Sequence, residues 1–169
     1  QVADQATAAE TILELEAEIL SLKDLEQQAL TLVQSGNDKK WEQLSSLLQD
    51  SPEMKNRDGS RRKLIIFTEH KDTLDYLAGD GKDGRPHGKL REWGLKVSQI
   101  HGGMKSGDRD TPGTRVYAER EFKETSQILV ATEAAGEGIN LQFCWMMVNY
   151  DIPWNPVRLE QRMGRIHRY

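Results

Sequence analysis

Arginines recur near the end of the chain at the spacing of successive helical turns. Arg158, Arg162 and Arg165 are four and three residues apart, so they share one face of a helix, and Arg168 extends the series if the helix continues. Like charges at these spacings destabilise a helix by roughly 0.2–0.5 kcal/mol per pair, and Glu160 relieves only part of that repulsion. The series therefore indicates an anionic partner. Guanidinium groups suit a phosphate because they are planar, permanently charged and present paired donors. A solvated basic face is the alternative.

A second candidate site is the segment of small and polar residues 132–142, which follows a short apolar run. Gly136 and Gly138 flank a carboxylate there and would let a backbone approach a ligand or a phosphate closely. Gly102 and Gly103 likewise come just after a second predicted strand, at 97–100. Ordinary turn formation is the alternative for both segments.

The sequence excludes several other classes of site. No G-x-x-x-x-G-K-[ST] phosphate-binding loop is present, so hydrolysis of a nucleotide by this chain unaided is not expected. Cys144 is the only cysteine, which excludes a disulfide scaffold and a C-x-x-C zinc site. His70, His101 and His167 are not at metal-ligand spacing, so no metal site is expected. Neither a membrane span nor a signal peptide is expected, which predicts an intracellular protein.

Charge is distributed unevenly along the 169 residues, whose net charge is −4. Residues 1–60 carry 12 acidic and 5 basic side chains, whereas residues 61–169 carry 15 acidic and 18 basic ones. An acidic N-terminal segment thus precedes a mildly basic body, and such asymmetry is a weak indication of a polyanionic ligand.

The elements that would position these residues change character near residue 60. Before it, a capping-box pattern at Thr7 and apolar residues at helical spacing predict one helix ending at Gly36 and a second ending at Pro52. We expect this pair to pack its apolar stripe on the body, because a coiled coil would need a longer heptad run.

After residue 60, short apolar runs alternate with helical patterns. Strands are predicted at 63–67, 97–100, 127–131 and 146–150, with helices at 115–123 and from Val157 onward. This alternation favours an α/β fold with a mostly parallel sheet. Ligands of such sheets bind beyond the carboxyl ends of the strands, so the loops at 68–70, 101–103, 132–140 and 153–156 should lie together.

Residues 63–169 resemble the second RecA-like domain of superfamily 2 helicases and translocases, and most closely the Swi/Snf and RapA-like branch. The resemblance is carried by motif IV at 64–68, the H-G-G element at 100–104, motif V at 128–142, a D-x-x-W-N-P stretch at 151–156 and motif VI at 161–168. It implies a RecA-like domain at 61–169, truncated at its C-terminus, behind an N-terminal helical segment at 1–60.

The resemblance also implies roles for individual residues. Arg165 and Arg168 take the positions of the catalytic arginines that reach the ATP γ-phosphate. The positions that bind ATP are Gly138, Asn140, Gln161 and Arg162. Many relatives carry Asp at the position of Asn140, so the ribose hydrogen bond is expected here without the charge. The positions that contact or support the nucleic-acid backbone are Thr68, Gly102, Gly103, Arg115 and Thr132.

A complete motor of this family needs two RecA-like lobes, and this chain matches the second. The resemblance implies an ATP-dependent helicase or translocase that acts on double-stranded DNA, in the cytoplasm, nucleoid or nucleus. ATP and Mg²⁺ would be held mainly by an N-terminal lobe of the same polypeptide, and both ends of the chain look like cuts. Two alternatives are a non-enzymatic RecA-like module that binds nucleic acid or protein, and an unrelated α/β nucleotide-binding domain.

Overall fold

The computed structural model describes residues 2–36, 38–79, 88–133 and 141–166, and the side chains of all of these except residues 2–10 and Arg165. The chain divides into two compact units, residues 1–45 and 46–169. Residues 46–60 therefore group with the sheet that follows them, and the division lies earlier in the chain than the change of composition near residue 60.

Two helices begin the chain. Helix α1 spans Val2–Ser35 and helix α2 spans Lys39–Asp50. The prediction that the first helix starts at Thr7 is wrong, because the alanines and glutamines before Thr7 favour a helix and extend it to Val2. Gly36 ends α1 with a φ of 66°, and the Asp38 carboxylate caps α2 by accepting from the Trp41 amide at 2.9 Å.

The two helices differ in how much apolar surface they bury. The large apolar side chains of α1 between Ile12 and Val33 are 48–77% exposed, whereas α2 buries Leu44 and Leu48. A short 3₁₀ turn at Pro52–Met54 follows α2. No helix in the described ranges is both long and apolar enough to cross a membrane.

The second unit is built on a four-stranded parallel sheet, as predicted. Its strands are β1 at Leu64–Thr68, β2 at Val97–Ile100, β3 at Ile128–Thr132 and β4 at Met146–Asn149. Their order in the sheet is β2-β3-β1-β4. The register aligns Thr68 with Thr132 at the carboxyl ends of the two central strands, and Leu64 with Ile128 at their amino ends. Both central strands are buried along their whole length, which explains their continuous apolar runs.

Helices cover the sheet and complete its core. They are α3 at Lys71–Ala78, α4 at Lys89–Glu92, α5 at Arg115–Glu124 and α6 at Pro156–Ile166. Alternate strand residues such as Phe67 and Leu129 form one cluster with Phe122 of α5 and Ile166 of α6. Because all four strands are parallel, the residues that follow them meet at one end of the sheet, which we call the carboxyl end.

Candidate functional site at the carboxyl end of the sheet

Asp151 ties together the ends of two strands. It lies two residues beyond β4, and its carboxylate accepts from the Thr68 hydroxyl at 2.6 Å and from the Glu69 amide at 3.2 Å. Thr68 is the last residue of β1 and is fully buried. The Thr68 hydroxyl is therefore engaged inside the domain, where it fixes the loops after β1 and β4 relative to each other.

Arg162 of α6 is buried in the same place, with 1% of its surface exposed. Its Nη1 donates to the Asn149 side-chain oxygen at 2.7 Å and to the Asp151 carbonyl at 3.3 Å. The guanidinium lies over the Phe67 ring, 5.3 Å from its centroid, and its Nη2 is 3.6 Å from a Glu133 carboxylate oxygen. These contacts give Arg162 a structural role, and in this structure its guanidinium offers no exposed surface to ATP.

Arg158 lies one turn earlier on α6 and bridges two acidic residues. Its Nη1 is 3.3 Å from Glu69 and 3.2 Å from Glu133, which follow β1 and β3 directly. Its side chain is 51% exposed. Arg158 and Arg162 thus pair with Glu69 and Glu133, whereas the Asp151 carboxylate is held by the uncharged hydroxyl of Thr68 and amide of Glu69.

The turn after β2 is braced from α5. The Met104 amide donates to the His101 carbonyl at 3.0 Å, which closes the turn over Gly102 and Gly103. Arg115, the first residue of α5, donates from Nε to the Met104 carbonyl at 3.0 Å and from Nη2 to the Gly102 carbonyl at 3.1 Å. Both glycines are exposed, so this fork holds an open backbone surface in a fixed shape.

His101 begins this turn, and its surroundings disfavour the imidazolium. Burial lowers the pKa of His101 from its ordinary value of 6.5, and the positive charges of Lys71 and Arg115 lower it further, while Asp75 opposes them. The Nδ1 atom is buried and has no hydrogen-bond partner among the described residues. A Cβ added to Gly103 would lie 3.3 Å from that nitrogen, so a glycine suits the close approach.

The structure thus brings part of the predicted site together. Gly102, Gly103 and Arg115 form one braced turn, and Thr132 lies at the end of β3 with 6% exposure. Gln161 is exposed on α6, and the backbone of Arg165 continues the same helix. The predicted positions that fall outside the described residues are Gly136, Gly138, Asn140 and Arg168.

Two acidic residues with central roles, Glu133 and Asp151, were absent from the predicted site. Glu133 directly follows the buried strand β3 and Asp151 comes two residues after the half-buried strand β4, and a position just beyond a strand was the signal that could have singled them out. The partners of their carboxylates are 25 or more residues away in the chain, as with Arg158 and Glu133, so no local spacing shows the pairing. Within the described residues no group of three or more His, Cys, Asp or Glu side chains is arranged to hold a metal ion.

Comparison with known proteins gives a consistent result. Residues 39–169 match the family described as "Helicase conserved C-terminal domain". The chain is 47% identical over 106 residues to an uncharacterized ATP-dependent helicase, YqhH, of Bacillus subtilis, covering 63% of this chain and 16% of that protein. It is 37% identical over 75 residues to the RNA polymerase-associated protein RapA of Proteus mirabilis, covering 44% of this chain and 7% of that protein.

Solved structures show the same fold. The C-terminal domain of the DEAD-box protein Dbp5 is 27% identical with a TM-score of 0.55, over 77% of this chain and 63% of that one. The C-terminal part of the Fun30 ATPase domain is 24% identical with a TM-score of 0.60, over 78% of this chain and 37% of that one. The chain thus spans only a small part of the first curated relatives it matches, 16% and 7% of their lengths.

Proposed function

The chain belongs to the helicase conserved C-terminal domain family, and from that membership we propose that it is the second motor lobe of an ATP-dependent DNA translocase of the Swi/Snf and RapA-like branch. The observation that carries the proposal is the anchoring of α6 at the carboxyl end of the sheet. Arg162 and Arg158 hold that helix to Asn149, Glu69 and Glu133. The next arginine on the anchored helix is Arg165.

Arg165 and Arg168 are proposed as the arginine fingers. Their guanidinium groups would stabilise the transition state, in which negative charge on the transferring phosphoryl group is largest. Supporting this assignment, Glu69 and Glu133 already pair with Arg158 and Arg162, so these two carboxylates are compensated without Arg165. Gln161 on α6 and the segment with Gly138 and Asn140 are proposed to approach the nucleotide.

Mg²⁺ does not fit the carboxylates described at this end of the sheet. Asp151 is engaged by Thr68 and the Glu69 amide, and Glu69 and Glu133 are paired with Arg158. We therefore assign Mg²⁺, together with most of the triphosphate contacts, to an N-terminal RecA-like lobe of the same polypeptide.

The turn at 101–104 is proposed as the contact with the nucleic-acid backbone. Exposed glycines let a phosphate approach main-chain amides closely, and the Arg115 fork keeps the turn in place. Such contacts position a protein on DNA without reading its sequence. Thr68 and Thr132 are buried, so we propose that they position the adjoining loops instead of touching DNA.

Replacement of Arg165 by Lys in the intact protein tests the finger assignment. Arginine fingers raise kcat by a factor of about 10³–10⁵. Arg165→Lys should therefore lower kcat for DNA-stimulated ATP hydrolysis by about 100-fold or more. Lysine keeps the charge but loses the paired donors, so it should not rescue turnover. DNA affinity and the thermal midpoint should stay near normal.

Arg158→Lys is the matched control on the same helix. Its ion pairs are half exposed and lysine can keep one of them, so its effect on kcat should be small. Equal, small effects of the two substitutions would refute the finger assignment and indicate that the arginines form a solvated face or contact the DNA backbone.

A further inference from the structure

A cavity of about 540 Å³ lies at the opposite end of the sheet from the candidate site. Its lining includes residues that directly precede β1, β3 and β4, namely Arg62, Lys63, Ser126, Gln127, Cys144 and Trp145. A five-residue strand spans about 16 Å, so this cavity is separated from the carboxyl end by the length of the sheet. The proposed motor function makes no use of it.

The lining of this amino-end cavity is cationic. It includes Arg61, Arg62 and Lys63, and no acidic residue is among its described lining. Lys63 donates to the carbonyls of Phe122 and Ser126 at 2.6 and 2.8 Å, and Arg61 donates to the Leu48 carbonyl at 2.9 Å. Two of the three cations are therefore already engaged by the domain itself.

Arg62 is the exception. Its Nε is buried without a hydrogen-bond partner, and its guanidinium has no hydrogen bond or ion pair with any residue that the structure describes. A buried N–H donor left unpaired is costly, and the shortfall is removed when an acceptor arrives. The planar fork of arginine matches the oxygens of a phosphate or a carboxylate.

A large aromatic surface accompanies this cation. Trp145 lines the cavity and is 77% exposed, and Phe143 lines the cavity as well. Exposed indole rings beside cationic groups stack on the bases of nucleotides. An acidic peptide could pair with Arg62 but would have no group to stack on the Trp145 ring, so the ring favours a nucleotide over a peptide. The volume also lies within the range of small-ligand sites, which is about 300–1,000 Å³.

We propose that the amino-end cavity binds a nucleotide, with its phosphate on Arg62 and its base against Trp145. The nucleotide is either a free mononucleotide or one unit of a nucleic-acid strand, since both present the same phosphate and base. This site is distinct from the ATP site proposed at the carboxyl end and does not depend on that assignment.

The test is a titration of the 169-residue chain followed by the indole N–H signals of its four tryptophans in NMR spectra. The probes are AMP, inorganic phosphate and a 5′-phosphorylated oligothymidine, and a Trp145→Phe variant assigns the Trp145 signal. AMP is expected to shift that signal saturably and to bind more tightly than phosphate. Binding of AMP alone identifies a free nucleotide as the ligand, and competition by the oligothymidine identifies a strand.

Two pairs of variants locate the site. Arg62→Gln should weaken AMP binding at Trp145 about tenfold or more, because a charge-assisted fork is lost. Arg57→Gln removes the same charge from an exposed arginine outside the cavity lining and should change the affinity less than about twofold. By isothermal titration calorimetry, which does not need the Trp145 signal, Trp145→Ala should weaken AMP binding by about fivefold and leave phosphate binding unchanged. Trp154→Ala, at a fully exposed tryptophan elsewhere, should change neither.

Three results would overturn the proposal. The first is an unmoved Trp145 signal at millimolar AMP. The second is equal weakening by Arg62→Gln and Arg57→Gln, which would indicate diffuse electrostatic attraction. The third is a hexaglutamate peptide that shifts the Trp145 signal where AMP does not, which would make the cavity a peptide site. Arg62→Gln could fail to fold. Trp145→Ala then still tests the proposal, because Trp145 is exposed and its replacement is expected to leave the fold intact.

Discussion

At the scale of a single side chain, Arg162 stabilises the carboxyl end of the sheet. Breaking a buried charged pair costs about 3–5 kcal/mol, so Arg162→Ala should lower the free energy of unfolding by that amount. Arg162→Lys should recover little, since one amine cannot reach Asn149 and the Asp151 carbonyl while covering the Phe67 ring. Urea unfolding of the chain measures both. Arg158→Ala, which breaks half-exposed pairs, should cost less than about 1 kcal/mol, and an equal loss in the two alanine variants would contradict the buried role of Arg162.

This role of Arg162 could not be predicted from the sequence. The spacing of Arg158, Arg162 and Arg165 correctly placed them on one helix, but the same spacing fits anion-binding and buried arginines equally. What distinguishes Arg162 is the Phe67 ring beneath it and the Asn149 amide beside it, which belong to strands β1 and β4. Those neighbours are set by the order of strands in the sheet, which local patterns do not encode.

His101 carries a testable pH dependence. Because its pKa is lowered in the folded chain, the unfolded chain binds the proton more readily between that pKa and 6.5. The contribution of His101 to stability is therefore complete above about pH 6.5 and is lost as the pH falls through the folded pKa. NMR titration of the imidazole should give a pKa below 6.5, and Lys71→Gln should raise it. A pKa at or above 6.5 in the unchanged chain would contradict the described surroundings.

At the scale of an element, the turn at 101–104 depends on the first residue of α5. Arg115→Lys keeps the charge but cannot hold the Met104 and Gly102 carbonyls with the same planar fork. The intact protein should then bind duplex DNA about three- to tenfold more weakly, by loss of roughly one hydrogen bond's contribution. Fluorescence anisotropy with a labelled duplex measures this. Arg109→Lys, at a 71% exposed arginine of the preceding loop, is the control and should leave the affinity unchanged. If Arg115→Lys also leaves it unchanged, only the charge of Arg115 matters and its fork does not.

The strands were predicted more accurately than the start of the first helix. β1 and β3 are short apolar runs buried along their whole length, β2 is mostly buried and β4 is half-buried. All four agree within a residue or so with the predicted positions. The start of α1 was misplaced because helix propensity extends through the capping pattern at Thr7. The order β2-β3-β1-β4 was not predicted, because no local pattern says which strand pairs with which.

At the scale of the whole molecule, the chain matches only a small part of the length of its relatives. It spans 16% of YqhH, and its sequence contains no phosphate-binding loop. The purified 169-residue chain is therefore expected to hydrolyse ATP no faster than buffer alone, with or without DNA. A coupled phosphate-release assay measures this, with an Arg165→Lys chain as the control for contaminating enzymes. DNA-stimulated turnover that disappears in that variant would show that one lobe suffices and would overturn the two-lobe proposal.

The order of the strands has a consequence for how the domain is made. β1 and β2 are not neighbours in the sheet, and the strand that joins them, β3, begins only at Ile128. During synthesis, residues 64–100 thus emerge first, and the two strands that they contain, β1 and β2, do not pair with each other. Pairings between residues this far apart in sequence form slowly, because a long loop must close first. Until β3 appears, the apolar side chains of β1 and β2 stay exposed in the nascent chain, and in that interval the domain is most prone to aggregation.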